Sequence, residues 1–169
     1  LPASLTSIEA YALYNCSALT QLVIPSNTTT IKESAFANCT NLATITIPSS
    51  VVTIEQYAFN NTSWIATKRS QQTDRLVIVN NILIDGLTTL TANLVVPSGV
   101  STIANMAFAN NTSIREITLP SSVVTIGQNV FSNLANLEII HSLGSITAIG
   151  NSMFINAPKL TSVVIPSTV

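Results

Sequence analysis

The chain has 169 residues, of which 47% are apolar and only 8% charged, with a formal net charge of −1. That charge excludes a nucleic-acid interface built on a basic face, and no apolar run approaches the ~20 residues of a helical membrane span. Thr, Ser and Asn, rather than charges, must cover the outside, a composition that suits an extracellular setting.

A beat begins at once. Pro2, Pro25 and Pro48 stand 23 residues apart, as do Pro97 and Pro120; Pro166 follows after 46, with Leu143 in the skipped slot. Six residues after each slot comes Ile8, Ile31, Ile54, Ile103, Ile126 or Ile149. Eleven after it comes Leu13, Phe36, Phe59, Phe108, Phe131 or Phe154, so all five phenylalanines share one column. Thirteen after it comes Asn15, Asn38, Asn61, Asn110, Asn133 or Asn156. This spacing predicts a backbone that returns to the same place every 23 residues, because a single coil cannot bury its apolar side but stacked coils share a core. The Asn column is expected at a buried corner, its amides bonding main chain or one another.

Within a unit, the L-x-x-I-x-I segment, as in Leu42–Ile47, reads as a half-buried strand. A chain that always winds the same way pairs such strands in parallel. Proline then ends the strand and turns the corner. The following V-x-x-I-x-x-x-A-F part reads as a short extended piece and a turn or 3₁₀ segment. The fold class is therefore a mainly β repeat solenoid. It has a parallel sheet on one face and turns with short 3₁₀ or extended segments on the other. Alternate strand positions face outward, which makes Gln21, Thr44, Thr46, Glu116, Thr118, Ile139 and His141 the candidate binding strip. Cys16 and Cys39 share a slot in adjacent coils, within disulfide range at ~5 Å. The slot's other occupants, Thr62, Asn111, Leu134 and Ala157, equally suit a small buried position holding free thiols.

From about residue 66 to 93 the columns fail. Lys68 and Ser70 fall where apolar residues belong, and 68–75 is expected as a surface loop. Lys68, Arg69 and Arg75 beside Trp64, the sole tryptophan, make a second candidate contact site. Leu76–Val79 and Ile82–Asp85 flank Asn80-Asn81, and Asn tolerates positive φ, so a β-hairpin with a two-residue turn is predicted. Leu94 and Val96 resume the beat.

Chemistry finds no foothold. The single histidine, seven acidic residues and five scattered glycines form none of the usual hydrolase, phosphate-loop or metal motifs. No catalytic residue, metal or cofactor is expected, and the chain is not read as an enzyme.

The units Leu42–Asn61 (LATITIPSSVVTIEQYAFNN) and Ile114–Asn133 (IREITLPSSVVTIGQNVFSN) resemble the BspA-like family of leucine-rich repeats. The resemblance covers nearly the whole chain outside 66–93. One departure is that Ser50 and Ser122 stand where the common leucine-rich repeat has Asn or Cys, so that family's Asn-ladder geometry does not carry over. The resemblance implies a secreted or surface-attached protein that recognises proteins of a host or neighbouring cell, without catalysis. The alternative is a structural spacer that holds other domains away from the cell surface. On this reading residues 1–169 form a single solenoid with an irregular unit and hairpin at 66–93. Neither end carries a polar cap, so a stretch of a longer array is expected.

Overall fold

The computed structural model describes residues 1–88 and 90–169. They pack as two units, Leu1–Thr73 and Asp74–Val169. In the first unit lie β1 (Ser7–Ile8), β2 (Gln21–Val23), β3 (Thr30–Ile31), β4 (Thr44–Thr46), β5 (Thr53–Ile54) and α1 (Ser63–Ser70). The beat is the register: Leu22 pairs with Ile45, and Ile8 with Ile31 and Ile31 with Ile54, all in parallel. Each coil thus feeds two sheets, β2-β4 and β1-β3-β5. The short extended piece is a Ser-Ile or Thr-Ile strand with its Ile inward, and Ile8, Ile31 and Ile54 are buried. Phe36 and Phe59 stack with ring centroids 5.4 Å apart and planes 12° from parallel. Lys32 donates to Glu9 one coil away, and this bond holds the Glu9 carboxyl below its ordinary range and Lys32 above its own.

The second unit holds β6 (Val77–Val79), β7 (Ile82–Asp85), β8 (Asn93–Val95), β9 (Thr102–Ile103), β10 (Glu116–Leu119), β11 (Thr125–Ile126), β12 (Ile139–Leu143) and β13 (Ser162–Val163). One four-stranded sheet is ordered β13-β12-β10-β8, the other β11-β9-β7-β6. β6 and β7 are antiparallel, and Asn80 and Asn81 between them sit at φ 48° and 64°, the primed-turn geometry that hairpins favour. β7 then pairs in parallel with β9, so the hairpin becomes part of the coil wall. Phe108, Phe131 and Phe154 stack at 6.1 and 5.7 Å. Gly86 is needed here, because a Cβ on it would lie 2.3 Å from the Phe108 ring.

The third side of each coil is built of turns, as expected, but its backbone explains the Asn column differently. Two residues per coil, four apart, take left-handed backbone: Ser34 and Asn38, Tyr57 and Asn61, Met106 and Asn110, Asn129 and Asn133. Alternate N–H groups reach the next coil, as Ser34, Phe36 and Asn38 donate to the carbonyls of Gln56, Ala58 and Asn60. Asn recurs because it tolerates positive φ. The column lies outward, with Asn61, Asn110, Asn133 and Asn156 exposed, which corrects the buried-corner reading. The amides still form a ladder: Asn156 donates to Asn133 at 2.8 Å and Asn133 to Asn110 at 3.0 Å, as Asn61 does to Asn38. At the Pro corners, Ser50 and Ser122 hydroxyls donate to the Thr28 and Val100 carbonyls of the preceding coil. Cys16 and Cys39 are unbridged. Cys39 Sγ donates to the Leu13 carbonyl at 3.0 Å, and burial pushes its thiol pKa up.

Leu143 does not stand in a proline slot. β12 carries one residue more than β10, the register shifts after Ile117, and Leu143 pairs with Leu119. Gly144 takes the corner instead, at φ +74°, where a Cβ would meet the Val123 carbonyl at 2.6 Å.

Candidate functional site

The outward strand positions form a strip on each unit. On β2-β4, Gln21, Val23, Thr44 and Thr46 are exposed. On β13-β12-β10-β8, Asn93, Val95 and His141 are exposed, and Glu116, Thr118 and Ile139 are half-buried. Parallel pairing sets Glu116 directly beside Ile139. The extra residue in β12 is His141. The bulge re-aims it, as bulges do, so that Nε2 meets Glu116 Oε2 at 2.7 Å. Ser142, opposite Thr118, joins the strip on the same account. Counting alone misses Ser142, because nothing in the period announces a bulge. Asn93 and Val95 were legible once Leu94 resumed the beat.

The second candidate site changes character. Residues 68–70 of the expected loop belong instead to the helix α1, and only 71–75 run as turn, bend and loop. Thr62 caps it, its Oγ1 accepting from the Ile65 N–H at 3.1 Å. The first helical turn is tied to the sheet by the Trp64 N–H, which donates to the Leu42 carbonyl at 2.8 Å. Trp64 is mostly buried, at 7% exposed, and lies 4.7 Å from Phe59, centroid to centroid. The Lys68 ammonium sits 5.8 Å above its ring, in reach of a cation–π attraction. Trp64, Lys68 and Arg69 thus share α1, whereas Arg75 belongs to the other unit. Between α1 and β4 lies an open cavity of about 230 Å³. Its floor is Ala43, Thr44 and Ile45, and its helical wall is Trp64, Thr67, Lys68 and Gln71.

Among the described residues, no group of three His, Cys, Asp or Glu side chains could hold a metal ion. Among the same residues, no helix is long and apolar enough to cross a membrane.

Comparison with known proteins follows the coils. The model of the BspA type leucine-rich repeat region matches in six copies, over residues 1–82 and 85–169. A leucine-rich cell surface protein from Faecalibacterium prausnitzii A2-165 is similar at 25% identity and a TM-score of 0.54, over 94% of this chain and 50% of that one. A leucine-rich repeat protein of T. pallidum is similar at 22% identity and a TM-score of 0.45, over 96% of this chain and 66% of that one. The chain therefore spans half of the first protein and about two thirds of the second. No curated protein matches it. The strand register, the Phe column and the matched repeats agree along almost every coil, and the chain belongs to the BspA-type leucine-rich repeat family.

Proposed function

We propose that the chain is a non-enzymatic recognition and adhesion module, displayed outside the cell, that binds a protein of a host or neighbouring cell. The contact surfaces are the outward strips of the two units: Gln21, Thr44 and Thr46 on the first, and Glu116, Thr118, Ile139 and His141 on the second. The observation that carries this reading is the Glu116–His141 pair at 2.7 Å beside Ile139. A bulge places charge and apolar surface together on an otherwise uniform wall, the mixture that protein interfaces use. The similar F. prausnitzii protein is a cell surface protein by name, which supports the location.

Immobilised chain incubated with extracts of host matrix or partner cells tests the proposal. A saturable partner is expected, with retention cut about tenfold by the Glu116→Ala, His141→Ala pair. Failure to retain any saturable partner would overturn it. The competing reading is a spacer, favoured by a charged fraction of only 8%. It predicts that exchanging one coil for another leaves cell-level function intact.

A further inference from the structure

We propose that the groove between β4 and α1 takes an extended peptide strand carrying a carboxylate side chain, paired edge-on with β4. The inference rests on the reading above that the chain binds protein, and it assigns the binding mode and the chemistry of the ligand.

The repeat itself defines the vacancy. One beat beyond Leu42, Ile45 and Ile47, the strand-forming positions of β4's segment, stand Ile65, Lys68 and Ser70. In a regular coil those residues would lie beside β4 as the next parallel strand. They form α1 instead, whose first turn keeps the strand's contact through Trp64 N–H to the Leu42 carbonyl. Beyond that point α1 winds on as a helix, and the groove opens beside Ala43, Thr44 and Ile45.

The backbone at that edge points the right way. The Thr44 N–H donates to the Thr20 carbonyl, and the Thr46 carbonyl accepts from Ile24, both in the preceding coil. Parallel ladders alternate, so the N–H and C=O of Ile45 face away from β2, toward the groove. An accessible strand edge of this kind is a template for an added strand, whose main chain supplies affinity while pockets read alternate side chains. The volume fits that use. About 230 Å³ is less than the roughly 300–1,000 Å³ of pockets that enclose drug-sized ligands, and suits a segment running along the edge with a side chain or two seated.

Charge selects the occupant. Among the described residues that line it, Lys68 alone is charged, and Thr44, Thr67 and Gln71 add neutral polar groups. A carboxylate can draw the ammonium from its place over Trp64 into an ion pair, while a cationic side chain would be repelled.

The test uses the whole chain and a synthetic octapeptide alternating Val and Glu. The chain has one Trp and it lines this groove, so its emission reports occupancy. Titration is expected to give a saturable change in Trp64 emission. A peptide with Lys for each Glu, and one N-methylated at alternate amides, should each bind at least about tenfold more weakly. Lys68→Glu should reverse the preference between the Glu and Lys peptides. Slowed hydrogen exchange of the Ile45 amide on adding the Glu peptide would identify the edge. Absence of saturable binding, or binding indifferent to Lys68→Glu and to N-methylation, overturns the inference. A partner captured from extracts whose retention is unaffected by Lys68→Glu sinks the groove while leaving the recognition role standing. Peptide binding without any captured partner does the converse.

Discussion

β10 and β4 occupy the same place in the repeat, yet their neighbours differ. Beside β10 lies β12, whose Ile140 and Leu143 sit opposite Ile117 and Leu119 and are buried with them. Beside β4 the equivalent residues are Lys68 and Ser70, in α1. A strand there would have pushed an ammonium into the core, a cost far above any gain from the ladder. A helix puts Lys68 in solvent and buries Trp64 and Ile65 instead. The period proposes a strand in every coil, and two polar substitutions with a capping threonine are enough to refuse it.

The largest expected effect separates the regular wall from the exception. Phe131 is buried between Phe108 and Phe154, and Phe131→Ala should cost about 3–5 kcal/mol in denaturant unfolding. Thr62→Ala removes the α1 cap together with the buried hydroxyl bond to the Phe59 carbonyl. A loss of about 1–2 kcal/mol is expected, with faster amide exchange through residues 63–70. If α1 unwinds into a strand rather than fraying, Ile45 exchange will slow instead, and the comparison breaks. A smaller effect, in the stabilising direction, is expected on the turn side. Met106 holds left-handed backbone at φ 57° where Asn129 stands one coil on, so Met106→Asn should gain about 0.5–1 kcal/mol. Smallest is a reactivity contrast. At mildly alkaline pH an alkylating reagent should label exposed Cys16 in the native chain and spare Cys39, whose thiol is buried and raised in pKa. Mass spectrometry of the labelled protein checks it.

Much of this was legible. Ile31 pairs with Ile54 and Phe36 stacks on Phe59 because residues in one column must meet in a coil of fixed length. The Asn80-Asn81 turn was readable because few other residues accept two successive positive φ values. Other features hide from a period. The Asn column recurs for its backbone conformation, which a side-chain argument mistakes for burial. Lys68 and Ser70 say that a strand is refused but not that a helix replaces it; that depends on Thr62 capping and on Trp64 finding Phe59. The bulge that joins His141 to Glu116 adds one residue and returns it at the next corner, so Pro166 stays on the beat and conceals it. How deeply Trp64 packs was not legible either, because a solitary aromatic beside basic residues reads as exposed and its seat on Phe59 depends on the folded helix.

Residue-resolved hydrogen exchange on the unliganded chain reads whether the edge of β4 is open. Ile45 and Ile117 hold equivalent places in β4 and β10, but among the described residues β10 is paired on both sides and β4 with β2 alone. A slowly exchanging Ile117 amide is expected, with a fast Ile45 amide flanked by slower Thr44 and Thr46 amides. An Ile45 amide as protected as that of Ile117 would show the place beside β4 already filled, and would contradict an open edge.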